Sequence, residues 1–436
     1  PVMKRGDVFV INAPYNGGTH LPDITVVTPV FAEAEKADEA PLFFVASRGH
    51  HADVGGMAPG SATPLAKTVD EEGVLIDNFR LVEQGRFLEA ETRNLLTDHP
   101  WPCRNPDQNI ADLRAQVAAN EKGVQELRKM IDQFGLDVVH AYMGHVQDNA
   151  AESVRRVLDA LKDCAYEYPT DQGAVIKVKI TVDHNAREAT VDFTGTSPQQ
   201  GTNFNAPAPV TRAAVLYVFR IMVNADIPMN AGCLRPINIV IPKGSMLAPE
   251  YPAAVVAGNT ETSQHVTNCL FLALGAMSAS QGSMNNLTYG NATYQNYETI
   301  CSGSPAGPGW HGTDGVHVHM TNTRLTDPEI LESRYPVVLE SFEVRDGSGG
   351  RGQWHGGGGT RRVMRFLEAM DCAILGSHRQ IPPPGGAGGE PGQCGETAIR
   401  RVDGTVEVLA GCQQTSVEPG DAVMLTTPTP GGYGAA

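Results

Sequence analysis

The spacing of apolar residues changes period several times along this chain, and each change limits what the segment can become. DVFVIN, ITVVTPVF and PLFFVAS, all between residues 6 and 56, are rich in Val, Ile and Phe and bounded by glycine and proline, which predicts strands. From 105 to 163 the pattern is helical, with apolar residues at Ile110, Leu113, Val117, Val124, Leu127 and Ile131. Asn109 or Asp107 can cap its start and Gly135 can end it. A second helix is expected in LDVVHAYMGHVQDNAAESVRRVLDALKDC, making an antiparallel helical hairpin. Strand period returns at 174 with VIKVKITVDHNAREATVDFTGTS, a hairpin turning at DHNA. TRAAVLYVFRIMV (211–223) and TSQHVTNCLFLALGAMSAS (262–280) read as apolar helices with strand and loop between them. Beyond 337 short strands alternate with glycine turns, as in a sandwich or barrel. The expectation is therefore an α+β chain in four regions: N-terminal strands over 1–104, a helical hairpin over 105–165, a central α/β part over 166–336 and a β-rich C-terminal lobe over 337–436.

Composition narrows the classes of function. A net charge of −16 over 436 residues argues against nucleic acid or an anionic membrane as partner, because both attract basic surfaces. No run of about 18 apolar residues is present, so no membrane-spanning helix is expected. The glycines gather in stretches such as GSGGRGQWHGGGG and IPPPGGAGGEPGQCG, read as turns and close backbone approaches, with a disordered linker as the alternative for the second. The eight cysteines include no CxxC pair, which disfavours a zinc ribbon, and they are expected to be free thiols in a reducing cytoplasm. Neither GxxxxGK[ST] nor GxSxG occurs, so the sequence shows no P-loop and no nucleophile elbow.

The chemistry gathers in two HxxD pairs at the ends of predicted strands and beside glycines: His20 with Asp23 in GGTHLPD, and His50 with Asp53 in GHHADVGG. Imidazole and carboxylate at fixed directions suit a divalent cation. The alternative is that the histidines bond loop carbonyls and the aspartates make Asx turns. His145 in AYMGHVQDN is a candidate proton carrier or a satisfied helical histidine. His317 and His319 in GVHVHM would share a face if the segment were a strand. GNTETSQHVTN (258–268), with Asn259 and Glu261, reads either as a helix N-terminus suited to an anionic substrate or as a simple cap.

Longer strings carry a resemblance. GDVFVINAPYNGGTHLPDITVVTPVF, GHHADVGGMAPGS, EEGVLIDNF, NIADLRAQVAAN, DFTGTSPQQGTNFN, NAGCLRPINIVIP and GDAVMLTTPTPGGYG are similar to the hydantoinase B/5-oxoprolinase family from end to end, and AYMGHVQDNAAESVRR and SHRQIPPPGGAGGEPG resemble its 5-oxoprolinase branch. The resemblance implies the B-type part of an ATP-dependent cyclic-amide hydrolase, in which an A-type ATPase subunit or fused domain activates the ring and holds the ATP. It implies a divalent metal (Zn, Mn or Fe) on Asp23, His50 and Asp53, with His20 beside them. In the mechanism expected here His20 or His145 carries the proton, and Asn259 and Glu261 of the 258–268 segment are the expected substrate-binding residues. An oligomer is expected. The family carries further residues before the GDV strand, so this chain is expected to be part of a longer one. The B part of an N-methylhydantoinase or related carboxylase, and a non-catalytic scaffold for the ATPase, remain open alternatives here.

Overall fold

The computed structural model describes residues 3–32, 40–61 and 63–436. An N-terminal antiparallel sheet is built from β1 (Val8–Ile11), β2 (Asp23–Val30), β3 (Phe43–His50), β4 (Phe79–Glu83) and β5 (Arg86–Phe87), in the order β3-β2-β1-β4-β5. Helix α1 (Glu89–Thr97) leads to α2 (Pro106–Phe134), which returns through Gly135 into α3 (Leu136–Leu158). α2 buries Ile110 and Leu113 in the same core as Val8, Val10, Ile24 and Leu81. Its polar residues also reach the sheet: Gln116 Nε2 donates to the carbonyls of Ile24 and Ser47, and Asn120 Nδ2 to those of Val26 and Val45. The helix is thereby tied to β2 and β3 together.

α2 starts earlier than the periodicity suggested. The cap is Asn105, whose side chain accepts from Gln108 N at 3.2 Å, because Pro106 has its φ preset for the first helical position and lacks an N–H to satisfy. Gly135 ends it, with a φ of 81° that a side chain would resist.

The second sheet, β6 (Cys164–Pro169), β7 (Val175–Asp183), β8 (Glu188–Asp192) and β9 (Ile237–Val240), pairs antiparallel except for the parallel β8–β9 contact. It shares a core with α4 (Ala208–Met222), α5 (Ser263–Ala273) and the second half of α3. α5 is preceded by a π-helical turn, Gly258–Thr262. Strands β10 (Asn286–Gly290) and β11 (Gln295–Glu298) follow. GVHVHM is not a strand: His317 and His319 lie in a loop, and His319 has a φ of 55°.

After α6 (Pro328–Arg334) come β12 (Val337–Val344), β13 (Thr360–Phe366), β14 (Met370–Leu375), β15 (Glu396–Arg400), β16 (Val406–Leu409), β17 (Cys412–Val417) and β18 (Ala422–Thr426). They form two sheets, β11-β10-β14-β17 and β12-β13-β18-β15-β16. Leu287, Ile374 and Val417 of the first share one core with Met364, Ile399 and Leu425 of the second, which is sandwich packing. The glycine-rich loops seal its end by backbone contact. A Cβ on Gly349 would stand 2.0 Å from the Gly356 oxygen, and one on Gly389 2.3 Å from the Gly432 oxygen. All eight cysteines are free thiols. Among the described residues no helix is long and apolar enough to cross a membrane.

Candidate metal centre

The β2–β3 register sets Asp23 directly opposite His50. His20 stands in the turn just before β2, where a Cβ on Gly18 would lie 2.2 Å from the Asn12 oxygen, so only glycine fits. Asn12 fixes this turn, donating from Nδ2 to the carbonyls of Leu21 and Val74 and accepting from Ile76 N. The result is one group, His20, Asp23 and His50, whose potential ligand atoms all lie within 4.8 Å of one another.

The carboxylate is the hub. Asp23 Oδ1 is 3.0 Å from His50 Nδ1, and its Oδ2 is 3.4 Å from His20 Nδ1. Asn259, from the π-turn, donates Nδ2 to His20 Nδ1 at 2.8 Å and to Asp23 Oδ2 at 3.4 Å. A π-turn widens the helix at a position that serves a site. It opens on Gly258, where a Cβ would lie 2.2 Å from the Asn205 oxygen, so only glycine fits.

Burial and charge set the protonation states. Burial drives the His20 pKa down to about 4, against the opposing pull of Asp23, so the imidazole is neutral near neutral pH. Burial alone would raise Asp23, but His20, the His50 hydrogen bond and Arg48 hold it at about 2. His50, with its side chain 43% exposed, opens the group to solvent.

Behind His50 the site is closed by residues the sequence did not mark. The Tyr297 ring lies 5.7 Å from the His50 ring, its phenol donates to Asn286 Oδ1, and burial raises its pKa. Asn286 Nδ2 in turn reaches Glu261 Oε1 at 3.4 Å, which also accepts from Met284 N at 3.1 Å. Burial raises the Glu261 carboxyl to about 7, while the Met284 N–H and the Arg379 charge work against it. Tyr297 and Asn286 carry no spacing signal. They reach His50 only through the pairing of β10 with β11.

The sequence candidates thus divide. His20, Asp23 and His50 converge, and Asn259 bonds to two of them. Glu261 is fully buried one layer behind. Asp53 is elsewhere: its carboxylate takes Arg104 Nη1 at 2.7 Å and accepts from the N–H groups of Gly55, Gly60 and Arg104. His51 is buried between Gln116 and Asn109. His145 is exposed on α3, its ring 5.7 Å from that of Tyr142.

The family model described as Hydantoinase B/oxoprolinase matches residues 1–436. The chain is 45% identical over 458 residues to 5-oxoprolinase 1 of Arabidopsis thaliana, covering 99% of this chain and 36% of the relative. It is 43% identical over 443 residues to a 5-oxoprolinase of Dictyostelium discoideum, covering 99% of this chain and 34% of that one. The chain thus spans about a third of the length of these curated relatives. Among solved structures it superposes on an ATP-dependent caprolactamase from Pseudomonas jessenii with a TM-score of 0.86 and 25% identity, covering 99% of this chain and 78% of that one.

Proposed function

The chain belongs to the Hydantoinase B/oxoprolinase family, and from that premise we propose that it is the B-type part of an ATP-dependent cyclic-amide hydrolase acting on 5-oxo-L-proline. The overall reaction would convert 5-oxo-L-proline, ATP and two waters to L-glutamate, ADP and phosphate. The names of the 5-oxoprolinase relatives and of the caprolactamase support the reaction class. ATP would be held by an A-type ATPase part, which would phosphorylate the ring amide, and this chain would hydrolyse the activated ring. The observation that carries the assignment of the hydrolytic step is the convergence of His20, Asp23 and His50.

The donor set suits a divalent ion. Two imidazoles and a carboxylate fit zinc, manganese or iron, and a neutral His20 with an ionised Asp23 is the protonation state that binding requires. When bound, such an ion would supply Lewis acidity and an acidified water. The protein's own part is preorganisation. Asp23 holds His50 through one oxygen and Asn259 through the other. The Asn259 amide, 2.8 Å from His20 Nδ1, fixes the orientation of that ring. The Tyr297 ring packs 5.7 Å from the His50 ring, whose side chain is 43% exposed.

The test combines the chain with an A-type ATPase part and follows ATP-dependent glutamate formation, alongside metal content of the dialysed chain. Near-stoichiometric metal and turnover are expected in the wild type, and both are expected to vanish in His50→Ala and Asp23→Asn. Full turnover in both variants would overturn the assignment.

A further inference from the structure

The outer half of the α2–α3 hairpin is a helical arm with almost no core of its own. From Gln125 to Asn149 only Val139 is buried. Helices in folded proteins draw most of their stability from packing an apolar face, and this arm has little to pack on within its own chain. Its exposed side chains are nonetheless apolar in a pattern. Val138, Tyr142 and Val146 of α3, with Met130 and Phe134 at the end of α2, are between 42% and 66% exposed. The spacing of four along α3 sets Val138, Tyr142 and Val146 in one stripe. At 3.6 residues per turn that stripe is centred roughly 120° around the helix from the mean direction of the buried residues Val139, Ala150, Ala151, Val154 and Leu158. It is a second face of α3, not an edge of the core.

Charge, area and symmetry point to what covers it. The chain carries a net charge of −16, yet from Val138 to Gln147 it has no Asp, Glu, Lys or Arg. Two copies of so acidic a chain repel over most of their surface, and this uncharged stretch lets them meet without opposing like charges. Five apolar side chains at these exposures present on the order of 400 Å² of surface, about half of the roughly 800 Å² that each partner gives to a standard interface. That is the apolar share such an interface needs, with polar neighbours as its rim. The stripe is also its own complement. Tyr142 stands midway, four residues from each valine. A second α3 laid antiparallel across a two-fold axis at Tyr142 sets Val138 against the partner's Val146 and the two Tyr142 rings against each other. Antiparallel helices also oppose their dipoles favourably.

We propose that the chain dimerises through this arm, with α3 packed antiparallel on α3 of a second copy about a two-fold axis at Tyr142. The His145 ring, edge-on to Tyr142 at 5.7 Å, then borders the interface. The inference rests on the arm alone and not on the reaction proposed above.

The test is sedimentation velocity of the full chain over a concentration series reaching about 50 μM, where twice the 46.5 kDa chain mass is expected. Tyr142→Arg opposes two guanidinium groups on the axis and is expected to weaken the dimer at least about tenfold. Tyr142 is exposed and arginine favours helix, so the variant is expected to keep the wild-type circular dichroism spectrum. A charge pair tests the register. Val138→Lys with Val146→Glu opposes unlike charges between copies, whereas Val138→Glu with Val146→Glu opposes like ones. Within one helix the two positions are two turns apart and do not meet. The first double variant is expected to associate at least about tenfold more tightly than the second. A monomeric wild type would leave the arm to a different polypeptide and overturn the proposal. A dimer that Tyr142→Arg leaves intact, or equal association of the two double variants, would overturn it as well.

Discussion

Asp23 and His50 are direct cross-strand partners, 27 residues apart in sequence, with His50 Nδ1 3.0 Å from Asp23 Oδ1. The site therefore depends on strand register as much as on residue identity. A one-residue slip between β2 and β3 would turn one of the pair to the other face. Gln116 and Asn120 of α2, each bonded to carbonyls of both strands, oppose that slip.

Asn259→Ala removes the amide that bonds both His20 and Asp23. Loss of such an outer partner is expected to weaken metal binding roughly 10–100-fold. Competition against a chelator of known affinity measures it. Unchanged affinity would reduce Asn259 to a tie between segments.

Glu72 should make the fold sensitive to alkali. Its buried carboxylate accepts from Val255 N and Val256 N, yet burial outweighs those bonds and raises its pKa to about 8. With the folded pKa above the ordinary value near 4.5, the stability it contributes is complete below about 4.5 and is lost as pH rises through 8. Glu72→Gln is expected to flatten the decline in melting temperature between pH 6 and 9. Parallel melting curves for the two proteins across that range would refute it.

Arg362 and Glu298 form a doubly bonded ion pair between β13 and β11, with side chains 2% and 1% exposed. Arg362→Met strands a buried carboxylate and is expected to cost about 3–5 kcal/mol in denaturant unfolding. Adding Glu298→Leu should recover part of that loss, which a double-mutant cycle would show as coupling.

Local pattern made much of the fold legible. The helical hairpin, α4 and the β7–β8 pair fall where apolar period predicts them. What was lost is what depends on distant partners. The two HxxD motifs read as equivalent, but the structure groups His20 and Asp23 with His50, while Asp53 caps its own loop and binds Arg104. Spacing alone does not distinguish these fates, because Arg104 lies 51 residues away. Asn259 stood in a segment open to two readings, as a substrate anchor or as a plain helix start. Its π-turn opens on Gly258, which packs closely against Asn205, a distant contact that no local rule encodes.

Asn259 reaches Asp23 across 236 residues of chain. A contact of that separation closes after the local hairpins and helices have formed, since long loops must be ordered before it gives any return. Asp23 and His50 belong to one sheet, whereas Asn259 is brought to them only by the central region. Tight metal uptake would then serve as a late-stage reporter of assembly, distinguishing a finished fold from a chain whose cores have formed separately.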